Sequence, residues 1–177
     1  EEFNISREEQ DVLDVMSQNR AAKAIVDGKF KDEIVPVVVK NRKGDKVIDR
    51  DEHPRFTTME NLAKLRPAFK KDGTVTAGNA SGINDGAAAM VLASGQKVEE
   101  LGLKPMAKLL AICSAGVEAE RMGFGPAVAI PKALDMAGLK KEDIGYWEIN
   151  EAFAAQYIAC EKSLGLSRDI VNANGSG

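Results

Sequence analysis

The sequence is poor in the residues that mark metal centres and disulfide frameworks. It has two cysteines and one histidine in 177 residues. Cys113 and Cys160 are far apart and form no CxxC pair, so neither a zinc site nor a disulfide is expected. Both are predicted to be buried, reduced thiols. His53 cannot build a multi-histidine metal site alone, and its polar neighbours predict a solvated loop residue. We therefore expect no metal.

Long apolar runs and a strongly basic field are also missing. The longest apolar run, residues 87–93, is too short to span a bilayer, and no amino-terminal signal or transit pattern is visible. The net charge is -3, with 24 basic and 27 acidic residues interleaved along the chain. We expect no membrane partner and no nucleic-acid partner. With 44% hydrophobic and 29% charged residues, the chain has the composition of an ordinary folded protein.

The first 75 residues predict a region of mixed helix and strand. Ser6 and Glu9 have the spacing of a capping box, and apolar residues recur at helical spacing as far as Gly28. Residues 34–39 are rich in β-branched side chains and can form a hairpin with residues 47–48, with Pro36 favouring an edge. A short helix capped by Thr58 is predicted to follow.

From Gly73 onward, small residues lead into alternating strand and helix patterns. Residues 87–93 predict a buried strand after a glycine-rich bend. Further strands are expected near residues 108–113 and 146–149 and from Ile170, and helices near 96–101, 131–137 and 151–164. Strands and helices that alternate at this spacing predict a layered α/β fold.

Asn150 is the residue whose position most suggests chemistry. It follows a short apolar strand and precedes a helical pattern, so its amide could cap the helix. The alternative is that the amide lies at the carboxyl edge of a sheet, where it can hold a water or polarise a carbonyl oxygen. Glu151 is expected in the first helical turn. Phe153 is one turn further along and is either a core residue or part of a cavity wall.

Two glycine-containing segments could either pack within the protein or contact a ligand. Residues 78–82 contain neither GxxxxGK[ST] nor GxGxxG, so their small residues favour close backbone approach to a strand or to a thin ligand. Ser81 could hydrogen-bond such a ligand, but no histidine base is placed beside it. Met122 lies in a glycine-marked loop and either packs in the core or lines a pocket.

Three motifs in one order resemble the thiolase family, in particular the biosynthetic acetyl-CoA C-acetyltransferases. They are Thr74-Val75-Thr76-Ala77-Gly78-Asn79-Ala80-Ser81-Gly82-Ile83-Asn84-Asp85-Gly86-Ala87, Met122-Gly123-Phe124-Gly125-Pro126 and Asn150-Glu151-Ala152-Phe153-Ala154-Ala155-Gln156. The resemblance extends over essentially the whole chain. Its motifs are specific.

The resemblance implies part of a layered α-β-α-β-α fold of two similar halves, with an α+β loop domain inserted in the first half. By this analogy residues 1–80 match the rear part of the loop domain that covers coenzyme A. Residues 81–104 match the closing strand and helix of the first half, and residues 105–177 the first part of the second half. The family commonly forms tetramers, so a homo-oligomer is expected.

The family reaction is a reversible Claisen exchange through an acyl-cysteine, in which two acetyl-CoA give acetoacetyl-CoA and coenzyme A. Coenzyme A thioesters are substrates, so no cofactor is implied. The resemblance gives Asn150 the water of the oxyanion hole, and it gives Ser81 and Ala77 contacts with the pantetheine arm. It places Met122, Phe153 and Phe69 around the acyl pocket. It also places Arg55 near the adenine end of coenzyme A, although the loop that carries Arg55 is one residue shorter than usual in the family.

Neither Cys113 nor Cys160 falls in a catalytic motif of the family, and the expected Cys, His and second Cys are not in these 177 residues. The chain alone is therefore predicted to be inactive. A degradative 3-ketoacyl-CoA thiolase fragment is an alternative, although Met122 and Phe69 favour the short-chain type. A non-catalytic acyl-CoA-binding or subunit-interaction protein is another. Ketoacyl synthases share the fold but use a histidine at the position of Asn150, so Asn150 argues against that family. The expected location is cytoplasmic, with a mitochondrial alternative.

Overall fold

The computed structural model describes residues 2–176 and contains more helix than strand within that range. Short 3-10 helices cover Ala119–Phe124, Lys141–Asp143 and Arg168–Ile170. The α-helices and strands, in chain order, are α1 (Arg7–Val26), β1 (Val37–Val39), β2 (Lys46–Ile48), α2 (Met59–Ala63), α3 (Gly95–Glu100), α4 (Gly125–Ala137) and α5 (Ala154–Leu164).

Helix α1 begins at the predicted capping box. The Glu9 amide donates to Ser6 Oγ at 3.1 Å, and the Ser6 amide donates to Glu9 Oε2 at 2.8 Å, so two amides at the helix start are satisfied. After the helix, Gly28 has a φ of 70°, which favours glycine. The prediction of one long helix between Ser6 and Gly28 is confirmed.

The predicted hairpin also forms. Strands β1 and β2 pair antiparallel, with Val37 opposite Ile48 and Val39 opposite Lys46. Val37, Val38 and Val39 are all exposed, so this hairpin projects from the body of the protein rather than contributing to its core. The short helix capped by Thr58 is confirmed as α2, where Thr58 Oγ1 accepts from the Asn61 amide.

The hydrophobic core is built around α5, which contacts α1 on one side and α4 on another. Burial of an apolar side chain such as Ile158 contributes about 1.5–3 kcal/mol to stability, and α5 supplies Ala154, Tyr157 and Ile158 to the core. The buried core residues are Leu13, Trp147, Ile149, Ala154, Tyr157, Ile158 and Val171.

Segments on either side of α5 run parallel to each other. The Trp147 amide donates to the Ile170 carbonyl at 2.8 Å, and the Asn172 amide donates to the Trp147 carbonyl at 3.0 Å. A helix that links two parallel segments is the connection expected of a βαβ unit. The strands predicted near residues 146–149 and from Ile170 are thus reduced to a single bridge, Trp147 with Val171.

The predicted buried strand at residues 87–93 is wrong in this structure. The segment is fully exposed and no strand is assigned to it. No strand is assigned at residues 108–113 either, although Ala111 and Cys113 in that segment are partly buried. A strand needs a neighbour for its amides and carbonyls, and none of residues 2–176 supplies one here.

Two helix boundaries also differ from prediction. Helix α4 begins at Gly125 rather than near Pro131, because Pro126 occupies its first turn, where the missing amide hydrogen costs nothing. Helix α5 begins at Ala154, so Glu151 lies before the helix and not in its first turn. No helix within residues 2–176 is long and apolar enough to cross a membrane.

Arg20 on α1 holds the carboxy-terminal segment in place. Its Nη1 donates to the Val171 carbonyl at 2.7 Å, and its Nη2 donates to the Arg168 carbonyl at 2.8 Å. A longer bond from Nη1 reaches the Asn172 carbonyl at 3.3 Å. The Val171 carbonyl thus gains a charged donor, and so do the Arg168 and Asn172 carbonyls, which also accept from the Val171 and Gly175 amides.

We predict that Arg20→Met lowers the free energy of unfolding by about 2 kcal/mol, since charge-assisted bonds to these carbonyls are lost. Urea denaturation followed by circular dichroism measures the change. The matched control is Lys23→Met on the same helix, whose exposed ion pair with Asp27 should contribute less than about 0.5 kcal/mol. Equal losses in the two variants would contradict the proposed anchor.

Candidate functional site

A cavity of about 560 Å³ lies between α1, α2 and the loop of residues 76–82. It is also lined by His53, Arg55 and Thr57, and by Glu151, Ala154 and Ser176. The lining residues from α1 are Leu13, Asp14, Ser17 and Gln18, those from α2 and the turn after it are Leu62, Leu65, Ala68 and Phe69, and those from the loop are Thr76, Ala77, Gly78, Asn79, Ala80, Ser81 and Gly82.

The structure brings most of the predicted site residues to this cavity. Arg55, Phe69, Ala77 and Ser81 all line it, although they come from three separate segments. Phe153 is not a lining residue, but its ring meets the Phe69 ring edge-on, with 6.2 Å between the ring centroids. Such an edge contact is a favourable aromatic geometry.

Asn150 and Met122 do not line the cavity. Asn150 is exposed at the end of the segment that precedes α5, and the capping position of α5 is Phe153. The interpretation of Asn150 as the helix cap is therefore wrong. Met122 is 67% exposed, so it is not a core residue. It lies beside Gly123, which packs against Gln156 in the first turn of α5.

Asn172, which is completely buried, bonds the backbone of Ile149 before Asn150 and the side chain of Glu151 after it. Asn172 Oδ1 accepts from the Ile149 amide at 2.8 Å, and Asn172 Nδ2 donates to the Ile149 carbonyl at 2.7 Å. The same Nδ2 donates to Glu151 Oε1 at 2.8 Å. One buried amide thus fixes both neighbours of Asn150 and leaves the Asn150 side chain free to face solvent.

Asn79 fixes the loop that carries Ala77 and Ser81. Its side chain accepts from the Thr76 amide at 2.8 Å and donates to Asp11 Oδ1 on α1 at 3.0 Å. Its carbonyl accepts from the Ala154 amide at 3.0 Å, and the Ser81 amide donates to the Ala152 carbonyl at 2.9 Å. The loop is therefore bound both to α1 and to the start of α5.

Gly78 makes a close approach, but to leucine side chains of α2 and the turn after it rather than to the strand or ligand expected for residues 78–82. A Cβ atom placed on Gly78 would lie 2.6 Å from Leu62 Cδ2 and 2.8 Å from Leu65 Cδ1. A larger residue at this position would require the ends of these two leucine side chains to move.

Two carboxyl groups, those of Asp14 and Glu151, also line the cavity. Burial raises the pKa of Asp14 to about 6, with a smaller contribution from the charge of Asp11. Burial also raises the pKa of Glu151, partly offset by its hydrogen bond from Asn172. Nearby negative charges and partial burial both disfavour the ionised forms.

The burial of the two cysteines and the histidine agrees only in part with what the sequence predicted. Cys160 is buried, and burial raises the pKa of its thiol, which makes it a poor nucleophile. Cys113 is half-buried rather than buried. His53 is exposed as predicted, and it also lies at the cavity beside Gly82. Among residues 2–176 no group of three or more His, Cys, Asp or Glu side chains could hold a metal ion.

The chain matches two models of one protein family. Residues 1–96 match the model of the thiolase amino-terminal domain, and residues 103–177 match that of the thiolase carboxy-terminal domain. The chain belongs to the thiolase family. The prediction made from the three sequence motifs is thus confirmed, and the two matches together leave only a short stretch around α3 unassigned.

Two bacterial relatives are similar over nearly all of the chain. An acetyl-CoA acetyltransferase of Syntrophomonas wolfei is 57% identical over 175 residues, which are 98% of this thiolase chain and 44% of the relative. A beta-ketothiolase of Cupriavidus necator is 52% identical over 178 residues, covering 99% of this chain and 45% of the relative. The chain spans less than half the length of these relatives.

Solved structures confirm the prediction of a partial thiolase-like α/β fold. The acetyl-CoA acetyltransferase of Bacillus anthracis superposes with a TM-score of 0.95 at 52% identity, covering 99% of this chain and 45% of that chain. Human mitochondrial 3-ketoacyl-CoA thiolase superposes with a TM-score of 0.94 at 46% identity, with the same coverage.

We predict that Asn79→Ala loosens the cavity loop, because the Thr76 amide and Asp11 both lose a buried partner. Amide hydrogen exchange should become faster at Ser81 and Ala154, and the free energy of unfolding should fall by about 1–3 kcal/mol. The exposed Asn174→Ala variant is the control and should leave both quantities unchanged. Unaltered exchange at Ser81 in Asn79→Ala would contradict the assignment.

Asp14→Asn is predicted to stabilise the chain at neutral pH. The ordinary aspartate pKa is 3.8 and that of Asp14 is about 6, so the folded chain holds a proton that the unfolded chain has released between these values. Stability therefore falls as pH rises through this window. With a discount for partial exposure, the variant should gain about 1 kcal/mol at pH 7.5 and nothing below pH 3.8.

Urea denaturation across this pH range tests the prediction. Asp45→Asn on the exposed hairpin loop is the control and should change stability by less than about 0.5 kcal/mol at any pH. A difference between wild type and Asp14→Asn that does not vary with pH would contradict the raised pKa.

Proposed function

We propose that the chain is part of an acetyl-CoA C-acetyltransferase and supplies the coenzyme A-binding wall of its active site. The observation that carries the proposal is the convergence of Arg55, Phe69, Ala77 and Ser81 on one cavity in a chain of the thiolase family.

The cavity suits a thin ligand with an apolar or amide-bearing arm. Ala77 and Gly78 let such an arm lie close to the backbone, and the Ser81 hydroxyl offers a hydrogen bond. Arg55 is an exposed lining residue and can pair with a negatively charged group of the ligand. The pair of rings formed by Phe69 and Phe153 provides an apolar surface for a short acyl group. Coenzyme A thioesters have all of these parts.

In this proposal Asn150 holds the water that stabilises an enolate oxygen, as its family motif implies. Its exposed amide and its rigid flanks support that role, since a preorganised donor needs no reorganisation when charge develops. Met122 would narrow the acyl pocket from the side of Gly123. The thioester is substrate, and no cofactor is proposed.

The 177-residue chain alone is proposed to bind but not to turn over its substrate. Its cysteines are Cys113 and Cys160, which match no catalytic motif of the family, so no acyl-cysteine can form at the cavity. The whole protein is proposed to be a cytoplasmic homo-oligomer, in keeping with its bacterial relatives and with the tetramers common in the family.

A degradative 3-ketoacyl-CoA thiolase is the second candidate. The likeness to the human mitochondrial 3-ketoacyl-CoA thiolase supports it. The two candidates differ in acyl-chain length, so the affinity for acetoacetyl-CoA relative to a longer 3-ketoacyl-CoA separates them.

Calorimetric titration of the chain with coenzyme A and with acetoacetyl-CoA tests the proposal. Both ligands should bind and compete, and no thiolysis should occur. Ala77→Trp should fill the cavity and weaken binding at least tenfold, whereas the same change at the exposed Ala93 should have no effect. Equal affinity in the two variants would rule out this cavity, and thiolysis by the chain alone would rule out the inactive fragment.

A further inference from the structure

Glu151 is a partly buried carboxyl group in the wall of the cavity that does not cap a helix. Burial raises its pKa, so its ionised form is held at a cost. It precedes α5, but the capping residue of that helix is Phe153. A hydrogen bond from Asn172 acts against the effect of burial and favours the ionised form. This bond indicates what the carboxylate does.

The Glu151 carboxylate determines which way the buried side-chain amide of Asn172 points. Asn172 Nδ2 carries two hydrogens, and it donates to Glu151 Oε1 at 2.8 Å and to the Ile149 carbonyl at 2.7 Å. Asn172 Oδ1 accepts from the Ile149 amide at 2.8 Å. In the reversed orientation the amide oxygen would face two acceptors, and Nδ2 would face the Ile149 N–H. Only the observed orientation satisfies all three contacts.

Ser176 makes a second connection between the same two residues. Its Oγ donates to the Ile149 carbonyl and accepts from the Glu151 amide, both at 3.3 Å. Ser176 is also bound to α1, because its amide donates to Ser17 Oγ at 3.1 Å and its carbonyl accepts from Ser17 Oγ at 3.3 Å. The backbone on both sides of Asn150 is therefore held relative to α1.

Asn150, between these two neighbours, has a side chain without a partner. It is exposed, and its amide makes no hydrogen bond within residues 2–176. A backbone that is held on both sides sets the direction of the Cα–Cβ bond between them. A group that is free to bind a ligand but is directed by hydrogen bonds of its supporting residues is preorganised.

We propose that Glu151 and Asn172 are positioning residues for Asn150. Glu151 orients the Asn172 amide, Asn172 holds Ile149, and the Asn150 amide is thereby directed toward the water and the thioester oxygen assigned to it above. The inference rests on the proposed function of Asn150, but the order that it requires at Asn150 is present without ligand. Neither positioning residue contacts a reacting atom.

The order of Asn150 in the ligand-free chain tests the inference. Nitrogen-15 relaxation of its backbone amide should give an order parameter of about 0.85 in the wild type. Glu151→Met keeps the length of the side chain but removes the acceptor, and should lower this value below about 0.6. Glu151→Gln keeps an acceptor oxygen for Asn172 Nδ2 and should retain the wild-type value. Glu148→Met, at an exposed position two residues before Asn150, is the matched control and should have no effect.

Asn172→Asp is a second test of the same contacts. It replaces Nδ2 by an oxygen that would face the Glu151 carboxylate and the Ile149 carbonyl, so it should also lower the order at Asn150. Circular dichroism verifies that each variant is folded. If Asn172→Asp does not fold, the comparison of Glu151→Met with Glu151→Gln decides the question.

Ligand binding separates positioning from a general contribution to stability. Acetoacetyl-CoA offers a thioester oxygen to Asn150, whereas coenzyme A has none. In calorimetric titration the wild type should bind acetoacetyl-CoA more tightly than coenzyme A, by about two- to tenfold. This preference should be lost in Glu151→Met and kept in Glu151→Gln. A residue that only stabilised the chain would change both affinities together.

Three results would overturn the inference. They are an unchanged order parameter at Asn150 in Glu151→Met, an equal loss of order in Glu151→Gln, and a preference for acetoacetyl-CoA that persists in Glu151→Met. A wild-type chain that binds neither ligand would instead overturn the proposed function. The order parameters, which need no ligand, would still decide whether Glu151 positions Asn150.

Discussion

The hydrogen bond between the buried side chains of Asn79 and Asp11 is the interaction on which the organisation of the cavity depends. Asp11 is also paired with Arg7, whose guanidinium donates to the Leu62 and Leu65 carbonyls at the end of α2. Asn79 in turn accepts the first amide of α5 through its carbonyl. Two helices, the cavity loop and the start of a third helix are therefore joined through one carboxylate. A buried charge is tolerated here because every partner is present.

The cavity is lined by charged groups of both signs. Arg55 is exposed, while Asp14 and Glu151 are partly buried and have raised pKa values. An anionic group is favoured beside Arg55 and disfavoured beside the two carboxyl groups. A long ligand with one charged end would therefore place that end near Arg55.

The elements that the sequence predicted correctly are those whose formation depends on residues close together in the chain. The capping box fixed the start of α1, and the β-branched residues around a polar turn predicted the hairpin. The buried roles of Asn79 and Asn172 were missed, because an asparagine among glycines reads as a turn residue and its distant partners are invisible in sequence. Asn172 adopts a φ of 50°, a conformation that asparagine tolerates well, but spacing alone gives no sign of its bonds to residues 149 and 151. The strands at 87–93 and 108–113 failed for another reason, since a strand exists only as part of a pair.

Residues 82–110, which are almost entirely exposed, connect two parts of the chain that also contact each other directly. Helix α1 packs on α5, Arg20 binds carbonyls near residue 171, and Asn79 binds Ala154. All three links lie outside residues 82–110. A protease that cuts the exposed backbone at Lys97 or Lys104 would leave two fragments that remain associated, so the nicked protein would run as one species in native separation and as two under denaturing conditions. The covalent connection through residues 82–110 is therefore not needed to keep the residues before and after it associated.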